Sequence, residues 1–538
     1  MEKDINWWKK AVVYQIYPLS FQDSNDDGIG DINGITSRLD YLERLGVDVI
    51  WLSPVYRSPM DDNGYDIANY LEIDPIFGTM DDMKHLIHEV HQRGMRLIMD
   101  LVINHTSDEH DWFKESKTSL HNPKRDYYIW RDQPSDIGSV FGGSAWTYDE
   151  QTKQYYFHLF SQRQPDLNWQ NPHLRQEIYA MINTWLDMGI DGFRLDVIDL
   201  IGKDIDEKKL SDGPYLNDYL QELYDTCFKG RDIMTVGEMP GLSIKRAQEL
   251  TSGDDPLLSM IFQFAHISLD EVPGEGKWAL KPLNLVEFKE TFEKVQHTFY
   301  QKGWNSLFLS NHDQPRVVSR YGSELFRKES AKMLATILYG MQGTPYVYQG
   351  EEIGMTGVKF KSIDVYKDIE TKQIYQILKE KGWQEKDIMA SIYMKSRDNS
   401  RTPFQWNEEK YAGFSTHEPW LSVIPNYHDI HAEKDLQDAD GVYPYYQHLI
   451  KIRKENEIFL HGDFKLILRD HQKIFSYIRT YGHQKILVIG SFSDQKMTID
   501  LSPYQPIKIW LTNDHTIQLH DVMTISPYYT AIIEIGGK

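Results

Sequence analysis

Eight short runs of apolar and β-branched residues recur along the first two thirds of the chain, at 12–18, 47–55, 96–105, 190–198, 232–240, 259–264, 305–313 and 344–352. Between them the spacing of apolar residues changes to the helical period. In 31–46, Ile35, Leu39, Leu42 and Leu45 fall on one stripe before Gly46 closes the helix, and a second helical pattern runs over 324–343 and also ends in glycine. Strands alternating with helices make βαβ units on a parallel sheet, and eight of them predict an α/β fold, a (β/α)8 TIM barrel. Such a barrel builds its active site at the C-terminal strand ends, so polar residues must collect there. They do, in DLVINH, FRLDVID, VGEMP, SNHDQPR and YQGEE.

Two segments break the alternation. Residues 105–174 are too long for a simple connection and rich in Trp, Tyr, Asp and His, which predicts a subdomain inserted after strand three at the barrel mouth. From 463 to 538 the runs carry no helical period and predict a C-terminal antiparallel β domain. The barrel then takes 1–104 and 175–462, and the long mixed stretch of about 353–440 supplies loops over its mouth.

Composition narrows the partners. A formal charge of −22 repels phosphate backbones, so nucleic acid is excluded and a small neutral ligand fits better. Cys227 is the single cysteine, which rules out an internal disulfide and implies a reducing compartment. No apolar leader opens the chain and no apolar run approaches the ~18 residues of a membrane span. The expectation is a cytoplasmic monomer with no membrane partner and no organic cofactor.

The strand-end residues carry the chemistry. In GFRLDV, Arg194 and Asp196 are two apart and share a face, so the guanidinium is expected to hold the carboxylate ionised with a depressed pKa. A structural ion pair is the alternative reading. Glu238 stands among apolar residues in VGEMP, which favours the protonated form of a general acid, although a capping glutamate fits the same residues. An ionised carboxylate beside a protonated one is the arrangement that cleaves glycosidic bonds. A third carboxylate, Asp313, ends strand seven beside His312, and His105 ends strand three.

DLVINH, GFRLDV, VGEMP and SNHDQ, with QPDLN at 164–168, resemble in order the signature regions of the α-amylase family, glycoside hydrolase family thirteen. The resemblance covers nearly the whole chain. It implies Asp196 as nucleophile, Glu238 as acid/base and Asp313 as the residue that grips sugar hydroxyls, with retention of α configuration. It also implies that Arg194 keeps Asp196 charged, that His105 and His312 bond ring hydroxyls, and that Phe160 and Gln164 contact substrate. Within the family the chain closely resembles oligo-1,6-glucosidases, isomaltases and dextran glucosidases. There the positions matching Asp62 and Tyr65 in SPMDDNGYD hold the terminal glucose, and the one matching Arg397 pairs with that Asp and closes the pocket. The D-N-G cluster is also a common turn.

Val197, after the nucleophile, matches relatives that prefer α-1,6 bonds, and it is equally an ordinary strand residue. The expected activity is exo-cleavage of isomalto-oligosaccharides. α-1,4-directed maltases, trehalose-6-phosphate hydrolases and sucrose isomerases are the enzymatic alternatives, and a catalytically dead barrel used for assembly the non-enzymatic one. The chain departs from its relatives at Leu309, Ser310, Ser400 and Phe404. Finally, DSNDDGIGD spaces oxygen ligands at Asp23, Asn25, Asp27, the Ile29 carbonyl and Asp31, an array that suits a structural Ca²⁺, with Mg²⁺ less demanding of protein ligands. The alternative is a solvated acidic loop whose last Asp caps a helix.

Overall fold

The computed structural model of the chain describes residues 6–253 and 255–536; the first five residues of the 1–104 range, Asp254 and the last two of 463–538 lie outside the described residues. The eight expected strands are all present: β1 Val13–Ile16, β2 Val49–Leu52, β3 Arg96–Leu101, β4 Gly192–Leu195, β5 Met234–Glu238, β6 Met260–Phe262, β7 Ser306–Leu307 and β8 Thr344–Tyr348. They hydrogen-bond in the order β6-β5-β4-β3-β2-β1-β8-β7, all parallel, and a parallel bridge between Ile261 and Asn305 brings β6 against β7 and closes the ring.

Residues two apart on a strand share a face, so each strand presents one column to the barrel interior. Val13, Val49, Trp51, Ile98, Met234, Val236, Met260, Phe262 and Tyr346 fill that interior as one apolar cluster. The same columns continue upward into polar residues: Ile98 is followed by Asp100, and Val236 by Glu238. Asp100 and Arg194 are directly opposed across β3 and β4. The interior is thus apolar below and charged at its C-terminal end, as strand alternation dictates.

The strands are shorter than the apolar runs. β4 stops at Leu195, one residue before Asp196, and β7 holds two residues against an expected nine. In both places the chain leaves the ladder to turn its carboxylate toward the mouth. The pattern over 31–46 folds as two helices, Ile32–Ser37 and Leu39–Leu45, broken at Arg38. There the Arg38 guanidinium reaches Gln22 Oε1 and lies 4.0 Å over the Trp406 ring. The second pattern, 324–343, is helical over Arg327–Tyr339 and stops at Gly340, three residues before Gly343. A Cβ on Gly340 would lie 2.3 Å from Tyr477 Oη, so glycine lets the β tail approach the helix end.

In the 105–174 stretch, Trp130–Arg131, Gln154–Phe157 and Trp146–Asp149 form a three-stranded antiparallel sheet in that order. It is tied to the barrel by Lys203, whose Nζ donates to Asn104 Oδ1 at 2.7 Å and faces Asp166 Oδ2 at 3.0 Å. After residue 462 the chain makes a five-stranded and a two-stranded antiparallel sheet around their own apolar cluster. Lys289 docks this tail by donating to the Leu468, His471 and Ile474 carbonyls. Between β8 and the tail, helices Ile369–Glu380, Glu385–Lys395 and Asp398–Arg401 fold over the mouth. No helix among the described residues is long and apolar enough to cross a membrane.

Candidate active site

A cavity of about 170 Å³ opens at the C-terminal strand ends. Asp196, Glu238 and Asp313 all line it, although they come from the turn after β4, the end of β5 and the turn after β7. Asp62, Tyr65, His105, Phe160, Val197 and Arg397 line it as well. Arg194, His312 and Gln164 are fully buried and lie outside the lining of the cavity.

Arg194 is the hub. Its NH1 stands 2.5 Å from Asp100 Oδ1 and 2.6 Å from Asp196 Oδ1, and its NH2 2.6 Å from Glu238 Oε2. One cation therefore faces three buried carboxyls, which overturns the expectation that Asp196 is held low. Burial pushes the Asp196 carboxyl well above the usual carboxylate range; Arg194 works against this, but the charges of Glu238, Asp100 and Asp313 push the same way as burial. Glu238 has Phe262 opposite it on β6 as expected of an apolar setting, but the Arg194 guanidinium and the Val197 amide, at 3.3 Å, both face its Oε2 as well.

Val197 has φ 36° and ψ 42°, a left-handed conformation that a β-branched side chain adopts at a cost of about 1–3 kcal/mol. The strained turn aims its amide at Glu238 and its side chain into the cavity. Strand alternation alone gave no sign of this.

Asp313 behaves oppositely. Burial alone would raise it, but His312, Arg397 and Arg401 outweigh that and hold its carboxyl well below the usual range. Arg401 NH2 donates to Oδ1 at 2.7 Å, Arg397 NH1 is 3.5 Å from the same oxygen, and His312 Nε2 is 3.2 Å from Oδ2. The Gln15 amide donates to His312 Nδ1 at 2.7 Å, leaving the ring proton on Nε2 facing Asp313. His312 thus faces the carboxylate from beneath and is not among the residues that line the cavity. His105 does line it, but Asn104 and the Tyr65 carbonyl lie 3.1 and 3.0 Å from its two nitrogens. Burial lowers its pKa and so favours the neutral ring. Phe160 covers it with ring centroids 5.2 Å apart.

The far wall is the expected pair. Arg397 NH2 donates to Asp62 Oδ1 at 2.9 Å, and Gln164 Nε2 donates to Asp62 Oδ2 at 3.2 Å. Tyr65 donates to Asp100 at 3.0 Å and stacks on His312, with planes 3° apart and centroids at 5.1 Å. Arg397 has partners the sequence did not disclose: Asp368 at 2.6 Å and Glu370 at 3.6 Å, and Glu370 in turn takes Lys277 at 2.6 Å. All three come from connections without strand period. The available signal was for Arg401, which follows Arg397 by four residues on one helical turn, a spacing that shares a face.

The four family departures are not in the cavity wall. Leu309 and Phe404 are core residues, Ser310 donates to Glu351 at 2.8 Å, and Ser400 donates to the Arg397 carbonyl at 2.9 Å.

The loop at 23–31 closes on its own amides. Asp23 accepts from the Asn25, Asp26 and Gly28 N–H groups, Asp27 from Ile29, and Asp31 caps the first helix through Gly34 N–H at 2.7 Å. Among the described residues no group of three or more His, Cys, Asp or Glu side chains is arranged to hold a metal ion.

A closed parallel barrel with three carboxylates converging on a sugar-sized hollow defines a glycoside hydrolase. The family described as "Alpha amylase, catalytic domain" matches residues 15–462, and the chain belongs to that α-amylase family. It is similar to the oligo-1,6-glucosidase of Bacillus cereus, 49% identical over 99% of this chain and 100% of that protein. The glucan 1,6-alpha-glucosidase of Streptococcus pneumoniae serotype 4 is 50% identical over 98% of this chain and 99% of its own length. Among solved structures, a trehalose-6-phosphate hydrolase of Bacillus licheniformis superposes with a TM-score of 0.93 at 44% identity, covering 98% of this chain and 100% of that one.

Proposed function

We propose that the protein is a retaining, exo-acting α-glucosidase that releases glucose from the non-reducing ends of α-1,6-linked isomalto-oligosaccharides. The observation that carries this reading is the single guanidinium of Arg194 reaching both Asp196 and Glu238, with a third carboxylate opposite and the Asp62–Arg397 pair sealing the hollow behind. Two carboxyls bridged by one planar cation stand close together, as in retaining enzymes, where the spacing is about 5–5.5 Å.

The reacting form of the pair is the one in which Asp196 is ionised against Arg194 and Glu238 holds the proton: Asp196 attacks the anomeric carbon while Glu238 gives that proton to the leaving oxygen, forming a glucosyl ester. Glu238 then takes a proton from water, which displaces Asp196 with a second inversion. Asp313 grips the sugar hydroxyls as the transition state forms, and its low pKa keeps it an acceptor throughout. The charged wall limits the substrate to a terminal glucose. The relatives named for 1,6-glucosidase activity support the linkage, and Val197, at the cavity wall beside Glu238, is placed to set it. A phosphorylated substrate is disfavoured, because the cavity cations Arg397 and Lys277 each face carboxylates already.

The test is proton NMR of the first sugar released from isomaltose, with initial rates on isomaltose, maltose and trehalose-6-phosphate. α-Glucose first and fastest turnover of isomaltose are expected; β-glucose first, or a preference for either other sugar, defeats the proposal.

The remaining properties rest on the sequence. The single cysteine supports a cytoplasmic protein, working as a monomer on a soluble oligosaccharide. Structural Ca²⁺ at 23–31 rests on ligand spacing alone, the loop's carboxylates being engaged by its own amides. A melting temperature raised by Ca²⁺ and lowered by EDTA is expected; indifference to both removes the ion.

A further inference from the structure

Asp313 is the least buried of the three carboxylates, with 30% of its side chain exposed. It stands on a turn, not in a strand: Asn311 Oδ1 accepts from the Asp313 and Gln314 amides at 2.7 and 2.8 Å. Asp313 lies six residues beyond the end of β7, so no strand ladder fixes the direction of its carboxylate and its aim depends on the groups that face it. We infer that Arg401 is the residue that positions Asp313 for the reaction, acting through that carboxylate without touching the substrate itself. This rests on the reading above that Asp313 grips the sugar.

Arg401 holds the turn at two points. Its Nε donates to the His312 carbonyl at 2.9 Å and its NH2 to Asp313 Oδ1 at 2.7 Å, so one planar group fixes the backbone and the side chain together. It is fully buried and absent from the cavity wall. The fold holds the arm rigid in turn. Ser20, after β1, donates to the Arg401 carbonyl at 2.5 Å, and Tyr348, at the end of β8, donates to the Ser400 carbonyl at 2.8 Å. The guanidinium packs 5.4 Å over the Tyr17 ring.

The other cation near Asp313 cannot replace it. Arg397 is 3.5 Å away and already faces Asp62, Asp368 and Glu370. His312 holds only the opposite oxygen. Lysine at 401 keeps the charge but cannot reach both acceptors with fixed geometry.

The experiment makes Arg401→Lys and Arg401→Gln in the wild-type chain and in an Asp313→Ala background. It reads kcat/KM on 4-nitrophenyl α-glucoside, Ki for the iminosugar 1-deoxynojirimycin, and thermal melting. In the wild-type chain Arg401→Lys is expected to lower kcat/KM by about a hundredfold, the scale of a 1 Å misplacement, and to weaken the inhibitor while the protein stays folded. In the Asp313→Ala background the same substitution is expected to change either reading by less than about twofold, since its only route to the sugar is gone. Equal losses in both backgrounds, a lysine variant that works like wild type, or failure of both variants to fold each overturn the proposal. A wild-type enzyme inactive on every α-glucoside would instead sink the functional reading, before any variant is compared.

Discussion

Arg194 and Asp196 meet at 2.6 Å although only the arginine belongs to the strand. The ladder ends at Leu195, and the chain turns through the strained Val197, which leaves Asp196 above its guanidinium and facing the cavity. Because the same cation also serves Asp100 and Glu238, Asp196 is buried with a fraction of a counter-charge. The ionised form of Asp196 is thus one that burial disfavours, which is a cost in stability.

That cost has a sign in pH. Asp196 is raised by burial, and a carboxyl whose folded pKa exceeds its unfolded value adds stability only below the unfolded value, losing it as pH rises through the folded one. Asp196→Asn, which never ionises, is therefore expected to melt near the wild-type temperature around pH 4, close to the free carboxyl value, and progressively above it toward neutrality. Thermal melts across that range check it. A variant less stable than wild type at neutral pH, or a gap that ignores pH, contradicts the burial argument.

The Asp62–Arg397 wall should matter for binding more than for folding. Asp62→Ala leaves Arg397 with Asp368 at 2.6 Å, so the barrel should melt normally. Losing one charged acceptor for a sugar hydroxyl costs about 1.5–3 kcal/mol, or about ten- to hundredfold in kcat/KM on isomaltose. Unchanged kinetics would remove the wall from the substrate's path.

Lys203 is a buried cation at the boundary between the inserted subdomain and the barrel. Lys203→Met keeps the stem but leaves Asp166, fully buried, without its charge partner, at a cost of about 3–5 kcal/mol. Limited proteolysis should then cut within 105–174 before the rest of the chain. Wild-type resistance would show that the remaining contacts, among them the Lys124–Glu177 and Arg131–Asp206 pairs, suffice for docking.

Gly340 is where the β tail touches the barrel helices. Gly340→Ala places a methyl 2.3 Å from Tyr477 Oη and 3.1 Å from the Thr336 carbonyl, an overpacking worth about 1–3 kcal/mol by denaturant unfolding. An unchanged midpoint would mean the tail can shift.

The barrel was legible because its signal is periodic. Eight runs separated by helical stripes can close only one way, and polar residues at their ends locate the mouth. Asp196, Glu238 and Asp313 came from that rule, and their roles from motif resemblance. What the chain did not disclose is set by contacts distant in sequence. Asp368, Glu370 and Lys277 reach Arg397 or one another from connections without period, and Arg194 was assigned one carboxylate where it serves three. His312 lies beneath the cavity with Gln15 at 2.7 Å from one ring nitrogen and Asp313 at 3.2 Å from the other, a placement that the motif did not disclose. Local sequence shows which groups sit at the rim, and charge sharing among them emerges only when the strands are in register.

The central claim is that Asp196 attacks the sugar. Intact-protein mass spectrometry after reaction with a 5-fluoro-α-glucosyl fluoride, followed by peptide mapping, reads it directly. One fluoroglucosyl group on the peptide containing Asp196, absent in Asp196→Asn, is the expected result. Steady release of fluoride with no adduct, or an adduct on any other carboxylate, would contradict it.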